Sequence, residues 1–175
     1  MIVPREKKEI QKEDIMPLDV YIKNRKELRK NIVSFKKDRR IALGPYATFY
    51  FESYETMLAQ VQEMLYIEKG GEEQLKDELT AYNPLIPNGK ELTATLMFEI
   101  DNPVSRSAFL SKVGGIEEKV FIKIDGVSIK ASPEKDVDRT SAEGKASSVQ
   151  FIHFKFNDEQ IQKFKLEDAE VEIGI

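Results

Sequence analysis

Leu92-Thr93-Ala94-Thr95-Leu96-Met97-Phe98-Glu99-Ile100 is the stretch on which the fold class turns. Leu92, Ala94, Leu96, Phe98 and Ile100 alternate with Thr93, Thr95, Met97 and Glu99. A period of two over this length predicts a strand with one face in a core and the other polar. Pro87-Asn88-Gly89 before it reads as a turn. Asn102-Pro103 after it reads as the cap and first turn of a short helix carrying Phe109, Leu110 and Val113 inward.

Working outward, the same logic predicts a helix beginning after Pro17, with Tyr21, Leu28, Ile32 and Phe35 on one stripe. Arg25 sits in the gap of that stripe, and Lys23, Lys26, Lys30 and Lys37 occupy the opposite side. Ala47, Phe49 and Phe51 alternate as a strand after the Gly44-Pro45 turn. Ser53 can cap a helix over 54–69 with Tyr54, Met57, Leu58, Val61, Met64 and Leu65 on its apolar face. A second helix over about 72–82 stops at Asn83-Pro84. Downstream, Val120, Ile122 and Ile124 lead into Asp125-Gly126, a two-residue hairpin signal, and Val127, Ile129 and Ala131 return antiparallel. Val149 to Phe156 predicts a strand, Asn157 a helix cap, and Val171 to Ile175 a final strand. The expected architecture is α+β: a mostly antiparallel sheet of about six strands with helices on one face. Residues 1–13 are expected to be a charged, mobile lead-in, 14–175 a single α+β domain, and 132–146 a surface loop.

Composition narrows the chemistry. The 175 residues hold no cysteine and one histidine, His153. Disulfides, thiolate nucleophiles, iron–sulfur ligation and two-histidine metal motifs are therefore excluded within the chain. No Gly-x-Gly-x-x-Gly, Walker loop or Gly-x-Ser-x-Gly elbow occurs. No apolar run approaches the length of a membrane span, and with no cysteine the expected location is cytoplasmic. The net charge of −4 is unevenly spread. Residues 1–40 carry 13 Lys/Arg against 7 Asp/Glu, whereas the remainder is acidic. The basic segment predicts a docking face formed by Lys23, Lys26, Lys30, Lys37, Arg39 and Arg40.

Carboxylates supply the other candidates. Glu68 falls at the centre of the apolar face of helix 54–69, which makes it a buried acid, base or ligand, or a side chain that reaches water from the last turn. Gln62 and Glu63 border that face. Glu78, Tyr82, Asn83 and Glu91 cluster around the Pro-rich turn, where oxygen ligands could hold a hard cation or form a small polar pocket, or serve ordinary turn chemistry. His153 shares a strand face with Val149, Phe151 and Lys155, with no nucleophile and orienter near it in sequence to make a triad.

Five segments in order resemble the bacterial family catalogued as domain of unknown function 3501. They are Arg39-Arg40-Ile41-Ala42-Leu43-Gly44, Gln62-Glu63-Met64-Leu65, Tyr82-Asn83-Pro84-Leu85-Ile86-Pro87, Glu91-Leu92-Thr93-Ala94-Thr95-Leu96 and Ser148-Val149-Gln150-Phe151. The resemblance marks Arg39, Arg40, Gln62, Glu63, Glu68, Tyr82, Asn83, Glu91 and Gln150 as motif residues, without roles. It implies gene neighbourhoods shared with rubrerythrin-type peroxide-scavenging proteins and an iron–sulfur oxidoreductase. Against the family pattern the loop before Gln150 looks lengthened by Ser141 to Ala146, and the resemblance implies that family members carry a further polar and aromatic tail after the position of Ile175.

Three expectations follow. The first is an accessory or binding protein acting beside a redox or metalloprotein partner in oxidative-stress defence. The second is a small enzyme or ligand carrier with a pocket drawn from Gln62, Glu63, Glu68, Tyr82, Asn83, Glu91 and Gln150. The third is nucleic-acid binding through the basic residues 23–40. No cofactor is indicated by any motif, and neither is a membrane partner.

Overall fold

A computed structural model describes residues 7–134 and 144–175. The chain divides into two compact units, one of Met1–Arg40 with Glu52–Asn88, the other of Ile41–Phe51 with Gly89–Ile175. The strands pair antiparallel and the class is α+β.

The first unit is helical. α1 runs Leu18–Lys36, α2 Tyr54–Glu68 and α3 Gly71–Tyr82. α2 starts where Ser53 and Thr56 exchange side-chain and backbone hydrogen bonds, a reciprocal cap that satisfies two otherwise orphaned N–H groups. It ends at Lys69, which takes the left-handed conformation (φ 56°) one residue before the expected glycine pair. α1 buries Tyr21 alone, against five buried positions on α2.

Residues 7–13, part of the expected mobile lead-in, are held in place. Ile10 is buried, and its backbone N–H and C=O bond to the Asn83 side chain at 2.8 and 3.0 Å. Met16 is gripped the same way by Gln62, at 2.9 and 3.1 Å. Two side-chain amides thus do for this segment what a neighbouring strand would do, supplying a donor and an acceptor to each backbone residue. Lys7 pairs with Asp14 and lies over the Tyr54 ring. Residues 1–6 of the expected lead-in lie outside the described residues.

The second unit holds the sheets. A five-stranded sheet has the order β1 (Arg40–Leu43), β2 (Ala47–Phe51), β3 (Glu91–Phe98), β7 (Val149–Lys155), β6 (Ser132–Pro133). A three-stranded sheet has the order β5 (Val127–Lys130), β4 (Phe121–Ile124), β8 (Val171–Gly174). The β-structure expected as one sheet is therefore divided between two. Both contribute to one core: Phe49, Leu96, Ile152 and Phe154 from the larger sheet, Ile122, Ile124 and Ile129 from the smaller. α4 (Pro103–Leu110) and α5 (Asp158–Phe164) add Leu110, Phe109, Ile161 and Phe164. The β4–β5 turn places Asp125 (φ 48°) and Gly126 (φ 80°) both at positive φ, as the mirror-image turn of a tight hairpin requires. The loop expected over 132–146 begins with the short strand β6 and ends with Ala146 buried; residues 135–143 of it lie outside the described residues.

Candidate functional site

In the helical unit the chemistry gathers between α1 and α2. Tyr21 points its hydroxyl at Glu63 Oε2 (2.6 Å) because position 21 opens the apolar stripe of α1. Arg25, one turn on, donates Nε to the same oxygen (3.1 Å) and Nη2 to Oε1, a two-pronged clasp. The guanidinium also lies 4.3 Å from the Tyr66 ring centre. The Arg25 clasp, with the Tyr21 hydroxyl, holds the Glu63 carboxyl below its ordinary range. Burial, reinforced by the hydrogen bond to Glu63, pushes the Tyr21 phenol up to about 12. An ionised carboxylate, a protonated phenol and a permanent cation form a fixed trio at one end of a groove.

That groove, about 560 Å³, runs along the α1–α2 seam. Its floor is apolar: Leu28, Ile32 and Phe35 from α1, Leu58 and Ala59 from α2. Gln62 and Glu63 line it.

The other carboxylate and amide candidates separate. Glu68 is exposed at the end of α2, so the last-turn reading of its position is the one realised. Gln74 Nε2 on α3 reaches Glu68 Oε2, Glu78 Oε1 and the Met64 carbonyl, each at 3.1 Å. Tyr82 accepts from Gln60 Nε2 at 3.4 Å, and its phenol is raised by burial and then by Glu78 and Glu68 nearby. Asn83 and Gln62 are engaged with the backbone of residues 10 and 16. Glu91 and Gln150 lie on β3 and β7 of the other unit. Gln150 turns into the core, where its Nε2 reaches the Ser147 carbonyl (3.3 Å) and its Oε1 has no hydrogen-bond partner among the described residues.

The sheet brings together a cluster that the sequence reading leaves out. Thr93, Thr95, His153 and Phe151 share the face opposite the core, by a register that sets Thr93 across from His153 and Ser132 across from His153 on the other side. Glu91, two residues before Thr93, places Oε2 3.0 Å from His153 Nδ1. Glu134, just past β6, places Oε2 2.5 Å from Nε2. The side chains of His153 and Glu91 are 11% and 8% exposed. With both nitrogens occupied, the ring presents no lone pair to a metal, and among the described residues no group of three or more His, Asp or Glu is arranged to hold one. Glu91 was legible as a candidate; Glu134 was not, because only the β6–β7 pairing brings position 134 to position 153.

Of the basic candidates, Lys23, Lys26, Lys30 and Lys37 are exposed and form no ion pair among the described residues. Arg39 donates to the Glu52 carbonyl (3.0 Å) and lies 5.2 Å from the Phe35 ring centre, and Arg40 is exposed.

Fold and side chains define an α+β protein of a helical unit and a two-sheet unit with no recognised catalytic constellation among the described residues. The chain belongs to the family described as protein of unknown function DUF3501, whose model matches residues 9–175. A crystal structure of a protein of unknown function from Burkholderia pseudomallei is similar, with a TM-score of 0.86 and 34% identity over 94% of this chain and 86% of that one. No curated protein matches. Among the described residues no helix is long and apolar enough to cross a membrane.

Proposed function

We propose that this protein is a binding protein that docks an acidic protein partner on the outer face of α1. One observation carries the reading: a 19-residue helix with a single buried side chain displays Lys23, Lys26 and Lys30 unpaired, continued by Lys37. Ile22 and Val33, 53% and 59% exposed, alternate with these cations at helical spacing, Ile22-Lys26-Lys30-Val33-Lys37. Apolar side chains beside cations suit a partner surface whose acids steer the encounter and whose apolar patches hold it. A stripe serving only for solubility would not need the two apolar members.

The partner that the family resemblance implies is a rubrerythrin-like protein or an iron–sulfur oxidoreductase, met in the cytoplasm, and this reading adopts it. The absence of cysteine and the engaged state of His153 support an accessory role in oxidative-stress defence over redox chemistry carried by this chain. The test is binding between the purified protein and a purified rubrerythrin at low and high salt, with Lys23→Glu/Lys26→Glu/Lys30→Glu alongside. The reading expects binding that weakens steeply with salt and falls at least tenfold in the triple variant. Binding indifferent to both would overturn it.

A further inference from the structure

Residues 7–16 lie on the helical unit as a bound peptide lies on its receptor. Six of these ten residues are exposed, and Ile10 is the one buried among them. Among the described residues no backbone–backbone hydrogen bond joins this strap to α2 or α3. Side-chain amides hold its main chain instead. Asn83, at the end of α3, accepts from the Ile10 N–H and donates to the Ile10 carbonyl, at 2.8 and 3.0 Å. Gln62 on α2 does the same for Met16, at 2.9 and 3.1 Å. An amide that meets both polar groups of one residue reads backbone and not sequence. Between the two clamps the chain makes one turn, closed by the Asp14 carboxylate accepting from the Gln11 N–H at 2.9 Å.

The strap is held lightly and does not fill its site. Ordering it costs conformational entropy at every residue. Against that stand one buried anchor, the four clamp hydrogen bonds and water-exposed pairs such as Lys12–Glu72. Segments held this way open locally while the rest stays folded. A hollow of about 450 Å³ continues beside Ile10, lined by Leu79, Thr80, Asn83 and Pro84.

We infer that this face of α2 and α3 is a peptide-binding cleft that residues 7–16 occupy in cis as an autoinhibitory contact, and that its ligand in trans is a segment of a second protein with the same pattern, a branched aliphatic anchor followed four residues later by aspartate. The cis occupant selects this class, because it shows a segment whose backbone, anchor and turn all fit. Being tethered, the strap competes at an effective concentration on the order of mM. Residues 7–16 carry three Lys against two Glu and one Asp. Their net charge is zero, so the lysines of α1 take no part and the cleft stands independently of the proposed docking surface.

The experiment is fluorescence anisotropy of a labelled synthetic peptide of residues 7–16, titrated with the full chain as wild type and as Ile10→Asp, whose own strap cannot seat. Circular dichroism checks folding, and Ile10→Gly serves where Ile10→Asp fails to fold. The peptide binds the Ile10→Asp chain saturably and binds wild type at least tenfold more weakly, because the tethered strap competes. Peptides carrying Ile10→Asp or Asp14→Ala lose affinity. Asn83→Ala in the Ile10→Asp chain weakens binding roughly fivefold or more, through two lost hydrogen bonds. Lys23→Glu/Lys26→Glu/Lys30→Glu binds the peptide as wild type does, which separates this test from the docking test. No binding to a folded Ile10→Asp chain, equal binding to wild type and Ile10→Asp, or indifference to Asn83→Ala would each overturn the proposal. Dimers of wild type that Ile10→Asp abolishes would give the cleft to a second copy of this chain and overturn it as well.

Discussion

Replacing His153 by alanine is the most demanding test of the sheet cluster. The Glu91 carboxylate is 8% exposed, and His153 is the partner that the described residues give it. Removing the ring leaves a buried carboxyl oxygen without its hydrogen-bond partner and facing a hole. Stranding a buried polar group in this way costs about 1–3 kcal/mol. Glu134, at 23% exposure, recovers part of its hydration and adds less. For a chain of this size each kcal/mol moves the midpoint by about 2–4 °C, so the expected fall in Tm is roughly 2–12 °C. The assay is thermal unfolding by circular dichroism at neutral pH on wild type, His153→Ala, Glu91→Ala and the double variant, with exposed Lys155→Ala as control. The double variant loses less than the sum of the singles, because the second change removes the partner the first had stranded. A change in His153→Ala no larger than in the control, or strict additivity, would refute the reasoning.

Asn83→Ala removes both hydrogen bonds to Ile10 and is expected to lower stability by about 1–3 kcal/mol, with residues 7–16 becoming the first site of proteolytic cleavage. Gln150→Leu exchanges a buried acceptor without a partner among the described residues for a side chain of similar size, and a Tm equal to or above wild type in a melting curve is the expected result. Glu63, held below its ordinary range by Arg25, contributes stability that is present above that range and lost as pH falls through the lowered value; the acid side of a Tm-against-pH curve is correspondingly shallower in Glu63→Gln. Tyr21, pushed up to about 12, contributes stability below pH 10 that is lost as pH rises from 10 to about 12; absorbance at alkaline pH shows a late-titrating phenol that Tyr21→Phe removes.

Periodicity was enough for most elements. The alternation of 92–100 is realised in β3, the stripe of Tyr21, Leu28, Ile32 and Phe35 in α1, and Asp125-Gly126 as a hairpin turn. These are local signals, one residue reporting on its neighbours. What escaped is long-range. Nothing local says that β4, β5 and β8 form a sheet of their own, because an alternating strand fits either sheet equally well. Asn83 reads as turn chemistry beside Pro84, yet its amide holds a residue 73 positions away. Glu134 follows a two-residue strand too short to register as one. The candidate carboxylates and amides were chosen for being near each other in sequence. Tertiary structure distributes them among the α1–α2 groove, the α2–α3 pair, the N-terminal clamp and the sheet.

The docking claim is tested most directly by a photo-crosslinking amino acid placed in the native host at Lys26, on the outer face of α1, and separately at Lys123 on β4. The account predicts one acidic protein crosslinked from position 26, lost when Lys23 and Lys30 are reversed to glutamate, and none from position 123. No adduct at 26, or the same adduct from both positions, would contradict it.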